Sequence, residues 1–132
     1  MTDEFVDTLE VYVMAVTGKK AENLVVLDVR EMTSLADAFI ICSGRSNRQV
    51  QAIAEYIQSD LKKQHKKPLS VEGLAEGHWA LLDYGDVIIH IFYEPVRLFY
   101  DLEGLWMDAR RIKTRGMKSM VQLKTPTEDF DD

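Results

Sequence analysis

Gly77 to Phe92 reads GHWALLDYGDVIIHIF. Two apolar runs, HWALL and VIIHIF, flank Asp83-Tyr84-Gly85-Asp86, which predicts a β-hairpin with Tyr84 and Gly85 at its turn. Gly85 is free to take the positive φ that closes a tight bend. Neither run alternates strictly between apolar and polar residues, so both are expected as interior strands of a sheet. A Trp, a Tyr, a His and two Asp therefore decorate the rigid middle of the chain.

Working outward, Ala36 to Ser43 (ADAFIICS) is apolar on both alternating faces and predicts a central strand. Asn23 to Val29 predicts a first strand, with Arg30 to Leu35 as a polar connection. Ser46 precedes Gln49 by the capping-box spacing, and Val50, Ile53, Ala54, Ile57 and Leu61 recur at helical intervals. That helix decays over Lys62 to Lys67 and stops at Pro68. Leu69 to Val71 is a short strand, so strand, helix and strand predict a crossover with parallel pairing. At the other end of the chain, Thr2 is a candidate cap for a helix to Thr17 whose face carries Phe5, Leu9, Tyr12, Val13 and Val16. After the hairpin, Pro95 opens a last helix with Val96, Phe99, Leu102, Leu105 and Trp106 on its apolar side. The order α-β-β-α-β-β-β-α gives a single α/β domain, a mixed sheet of about five strands packed on helices. The domain is expected over residues 1–109, with 110–132 as a basic and then acidic tail of low order.

The 132 residues suffice for one core that buries about two-thirds of the unfolded surface. No apolar run approaches the ~20 residues that span a bilayer. The opening MTDEFVD lacks a basic n-region, so the expected location is cytoplasmic and no membrane partner is expected. A lone Cys42 excludes an internal disulfide framework. Net charge is −6, unevenly spread. Six basic residues between Arg110 and Lys124, and four acids between Glu128 and Asp132, leave ten basic against 18 acidic residues before position 110. Such a body is a poor nucleic-acid binder and a suitable partner for a basic protein. The basic stretch, Arg110, Arg111, Lys113 and Arg115 foremost, is a candidate RNA contact.

The candidate chemical motifs weaken on inspection. Gly44-Arg45-Ser46 lies between a strand and a helix, where N–H groups can hold an anion, but a phosphate loop needs more glycine and a Lys. The capping box already accounts for Ser46 and Gln49. Asp83 and Asp86 are split by a turn, whereas two-metal chemistry wants carboxylates converging on one pocket. Turns favour Asp for their own hydrogen bonds. Cys42, flanked by Phe39, Ile40 and Ile41, reads as a small buried hydrophobe; with His90 it is the chain's thiol–imidazole combination. No cofactor, metal or catalytic residue is expected, and the rival of another class is a small nucleotide-binding enzyme. What survives is an interface: Trp79, Leu81 and Asp83 share one face of a strand, and three helices leave part of a five-strand sheet uncovered. Such a face serves homodimerisation as readily as a foreign partner.

The chain resembles the ribosomal silencing factor, or Iojap-like, family. The residues carrying this are Asp28-Val29-Arg30-Glu31, Leu35-Ala36-Asp37 and Ser43-Gly44-Arg45-Ser46-Asn47-Arg48-Gln49. They continue through Glu72-Gly73, Gly77-His78-Trp79, Leu82-Asp83-Tyr84-Gly85-Asp86-Val87, His90-Ile91-Phe92 and Phe99-Tyr100-Asp101-Leu102-Glu103, closing at Leu105-Trp106. Ala38 stands where the family usually has an aromatic, and the region after Ala109 reads as an extension beyond the family core. The resemblance implies a topology related to nucleotidyltransferases without their catalytic carboxylates. It also implies binding to the large ribosomal subunit through its universal ribosomal protein fourteen, so that the small subunit cannot join. On this basis the partner contact is expected at Trp79, Leu81, Leu82, Asp83, Tyr84 and Asp86.

Overall fold

A computed structural model describes residues 4–114. Thr2, Arg115 and the rest of the expected tail lie outside the described residues. The elements run α1 (Glu4–Thr17), β1 (Glu22–Asp28), β2 (Ala38–Gly44), α2 (Asn47–Lys62), β3 (Ser70–Glu72), β4 (Trp79–Asp83), β5 (Val87–Tyr93), α3 (Glu94–Tyr100), α4 (Leu102–Leu105) and β6 (Arg110–Arg111). They build the expected α/β domain around one mixed sheet, with six strands in the order β3-β4-β5-β2-β1-β6. The sixth strand, Arg110–Arg111, pairs with β1 just past the expected boundary at 109.

The hairpin forms as expected, but its bend falls one residue later. Asp83 is opposite Ile88 and the Tyr84 N–H donates to Val87 O at 2.9 Å, leaving Gly85 and Asp86 as the loop. Gly85 takes φ +89°, the conformation that only glycine adopts without strain. The expected parallel pairing of β2 with β3 is corrected. β2 pairs in parallel with β5, Ala38 opposite Val87 through Gly44 opposite Tyr93, and β3 sits antiparallel to β4 at the edge. The crossover through α2 thus passes over two strands, because β2, apolar on both faces, takes the centre and is fully buried.

Strand alternation then assigns each side chain to a layer. On one face, Val26, Ile40, Cys42, Ala80, Leu82, Ile89 and Ile91 meet α1 and α2 through Leu9, Val13, Val16, Ile53, Ile57 and Leu61. The second face carries Leu27, Phe39, Ile41 and Phe92, covered by Val96, Leu102, Trp106 and Ala109 of the C-terminal elements. Two short helices replace the single last helix that was expected. Asp101 adopts φ +47°, ending α3 and capping α4, with its carboxylate accepting the Gly104 N–H at 3.2 Å. The break turns Phe99 and Leu105 outward, 81% and 75% exposed, instead of onto the core. No helix among the described residues is long and apolar enough to cross a membrane.

Candidate protein-docking face

The second sheet face is only partly roofed. Trp79, Leu81 and Asp83 of β4, with Ile88 of β5, are half-buried, α3 reaching only Trp79 through Tyr100, and Glu72 of β3 is exposed. Trp79 is fixed from several sides. It stacks on Phe92 with ring centroids 4.7 Å apart, lies 5.1 Å from Tyr100, and donates its indole N–H to His90 Nδ1 at 3.1 Å. That bond requires an unprotonated Nδ1 on His90. Burial supplies this condition, lowering the imidazole pKa to about 4 so that it is neutral at pH 7. Tyr100, 53% exposed, and Phe99 edge-on to it at 5.1 Å extend the aromatic surface past the sheet. Acids at Glu72, Asp83 and Asp101 surround it. Apolar anchors inside a polar rim are the anatomy of a protein interface.

Beside this face, α3 is pinned by a polar cluster. Arg97, 6% exposed, donates to Ser43 Oγ at 2.7 Å and bidentately to Glu103 at 2.8 and 3.0 Å. The guanidinium holds the Glu103 carboxyl below its usual range. A lone Arg in the apolar helix EPVRLFY, with Glu six residues on, was the available signal for this cluster. Tyr100 and His90 likewise gain their roles only from three-dimensional placement.

The expected contact residues divide. Trp79, Leu81 and Asp83 share the open face. Leu82 does not: it is fully buried against the helix layer, because adjacent residues of a strand point oppositely. Tyr84 packs half-buried on the helix side, its ring 5.7 Å from Tyr12, and its hydroxyl has no hydrogen-bond partner among the described residues. Burial first, then Tyr12, pushes its pKa up to about 12. Asp86 is exposed at the turn, and its carbonyl accepts the Asp37 and Ala38 N–H groups at 2.7 and 3.1 Å, tying the turn to β2. Asp83 Oδ1 accepts the Gly85 N–H at 2.8 Å, a turn bond.

The weaker motifs find structural employment. Ser46 caps α2, its Oγ accepting the Gln49 N–H at 3.0 Å, while Gln49 accepts the Arg45 N–H in return. Arg45 is paired with Glu22 at 2.6 Å. Cys42 and His90 occupy neighbouring strands but opposite faces, since Cys42 is opposite Ile91 and His90 is opposite Ile41. Burial raises the Cys42 thiol to about 12, leaving it protonated. Arg110 is held by Asp28 at 3.2 Å, and Arg111 lies 4.0 Å from Glu103. Arg30, with Arg110 in support, lowers the Asp28 pKa to about 2. Lys113 is exposed.

Comparison with known proteins gives a consistent result. The family described as ribosomal silencing factor during starvation matches residues 2–131, past the expected boundary at Ala109. The ribosomal silencing factor RsfS of Halalkalibacterium halodurans is 39% identical over 113 residues, covering 86% of this chain and 97% of that protein. Its counterpart in Bacillus subtilis is 40% identical over 101 residues, 76% of this chain and 86% of that one. The chloroplastic Iojap protein of Zea mays is 37% identical over 94 residues, 71% of this chain and 41% of that one. A solved structure from Bacillus halodurans superposes with a TM-score of 0.73 at 36% identity, covering 82% of this chain and 98% of that one. One from Chromobacterium violaceum gives 0.72 at 36%, covering 81% and 88%.

Proposed function

The chain belongs to the ribosomal silencing factor family, and from that premise we propose that it binds the large ribosomal subunit through the universal ribosomal protein fourteen and blocks joining of the small subunit. The observation that carries this reading is the family match over residues 2–131. The half-roofed sheet face supports the choice of contact: Trp79 is the anchor, Leu81 and Tyr100 flank it, and Asp83 supplies the acidic border, whereas Asp86 lies toward Tyr12 on the helix side. An acidic body is steered toward a basic ribosomal protein and away from free RNA. No bond is made or broken in this mechanism, and the protein acts as a cytoplasmic, non-enzymatic repressor of translation by occupying space. Arg110, Arg111, Lys113 and Arg115 would add a weaker contact to RNA, reduced by the engagement of Arg110 with Asp28.

Trp79→Ala tests the anchor. Interface anchors contribute on the order of 2 kcal/mol or more, about 30-fold in affinity. Co-sedimentation of the folded variant with purified large subunits should weaken by that factor, and inhibition of subunit joining should weaken with it. Undiminished binding by the folded variant would remove Trp79 from the site.

A further inference from the structure

The end of α2 is unlike the rest of the acidic body. Lys62-Lys63-Gln64-His65-Lys66-Lys67 places four of the ten basic residues that precede position 110 within six positions, with no acid among them. Arg30, Arg45 and Arg97 are committed to carboxylates, but none of these four lysines forms an ion pair among the described residues. Lys62, Lys63 and Lys67 are exposed. Lys66 is half-buried, its ammonium 5.5 Å above the Tyr12 ring.

The turn has a defined shape. The Lys66 N–H reaches back to Leu61 O at 2.9 Å, and His65 takes φ +61°, the Schellman ending with histidine where glycine is usual. It is also braced against the hairpin. Tyr12 beneath Lys66 packs on Tyr84, and the Leu69 N–H donates to Asp83 O at 2.6 Å. The lysines therefore stand at the hairpin-turn end of the sheet on its helix-covered side, across the sheet from the docking face, where Lys66 shares a pocket with Tyr12, Asp37 and Asp86.

We propose that this basic turn is a phosphate contact that seats ribosomal RNA at the helix-covered, hairpin-turn end of the domain while the opposite sheet face docks on protein. The proposal rests on the subunit-binding reading above. Its chemistry favours RNA over a second protein surface. Lysine is depleted at protein interfaces, and three solvated ammonium groups on flexible stems suit a regularly spaced phosphate backbone. With ten basic against 18 acidic residues before position 110, most of the body repels RNA, so the turn also helps select which edge can approach it.

The test uses the triple variant Lys62→Gln, Lys63→Gln, Lys67→Gln, whose substitutions lie on exposed positions. Affinity for purified large subunits is measured from 50 to 300 mM salt, alongside Trp79→Ala, and retention on deproteinised large-subunit RNA is measured at low salt. Three lost phosphate contacts should make the slope of log K against log salt shallower by about 2 to 3. Trp79→Ala should weaken binding at every salt with the slope kept, and RNA retention should fall in the triple variant alone. A wild-type slope in the triple variant overturns the turn contact and leaves the docking reading standing. A shallower slope on subunits with unchanged RNA retention assigns the turn to an acidic protein and overturns the RNA proposal. If the wild-type chain fails to bind subunits, the docking reading falls and the RNA arm decides the turn by itself.

Discussion

Leu81 and Leu82 are neighbours on β4, yet Leu82 is fully buried under the helix layer whereas Leu81 is half-buried beside Trp79, Ile88 and Asp83. The same contrast holds for the whole sheet. The α1–α2 face is closed by two helices of 14 and 16 residues whose apolar stripes match its width. The opposite face has only the short α3 and α4, whose cover reaches Trp79 at one end of β4 but leaves Leu81 and Asp83 half-buried. One face is used for stability, and the other keeps aromatic surface in reserve. Helix shortage leaves the second face partly open, and its strands carry Asp83, Glu72 and His90 there where the closed face has apolar side chains such as Leu82, Ile89 and Ile91.

Substitutions at these two adjacent leucines should separate the roles. Leu82→Ala leaves a cavity in a packed layer and should lower the unfolding free energy by about 2–5 kcal/mol in denaturant titration, with subunit affinity of the folded fraction unchanged. A loss below about 1 kcal/mol would contradict the closed-face assignment.

His90 provides the next effect, because it belongs to the open face yet is buried. Its folded pKa is depressed from 6.5 to about 4. As pH falls through 6.5 the unfolded chain takes up the proton first, so stability is lost progressively down to pH 4 and levels off below. The full loss is about 3 kcal/mol. His90→Gln, which retains an acceptor for the Trp79 indole but does not titrate, should flatten the stability profile between those pH values. Glu103 and Asp28, both lowered from ordinary carboxylate values, begin to lose their contributions only toward the acid end of this range, so the comparison between the variants is read above about pH 5. An unaltered profile in the Gln variant would show that His90 is hydrated in solution.

Leu81→Ala should have the smallest effect on folding. Half-buried truncation there is expected to cost about 1 kcal/mol or less in stability. Its larger consequence should appear in co-sedimentation with large subunits, the inverse of the Leu82→Ala pattern. Equal behaviour of the two variants in both assays would erase the distinction between the faces.

Much of this architecture was legible from residue pattern. The hairpin, the capped α2 with its apolar stripe, and the doubly apolar β2 follow from spacing and turn chemistry, which are local properties. Sheet order was not legible. β2 and β3 flank α2 in sequence, but nothing local records that β4 and β5 insert between them. The facing of Leu82 was hidden for a related reason: a strand apolar on both sides carries no alternation to say which side the helices take. Asp101 breaks the last helix through a left-handed conformation that glycine usually announces, so Phe99 and Leu105 read as core. Trp79 was legible as a candidate contact residue. Its fixation by His90, Phe92 and Tyr100 depends on strands and helices distant in sequence.

The parallel union of β2 with β5 has a consequence for how the chain comes into being. Ala38 lies opposite Val87, 49 residues away, so the centre of the sheet closes only after the whole intervening excursion exists. Pairings of such separation slow folding, since the loop must be closed before its contacts reward it. At ~5–20 residues per second of synthesis, β2 waits roughly 2 to 10 s for its neighbour. During that interval Phe39-Ile40-Ile41-Cys42, later the most deeply covered strand, has no partner on that edge. The segment that finally gives the fold its centre is, in the nascent protein, the one most exposed to association with other chains.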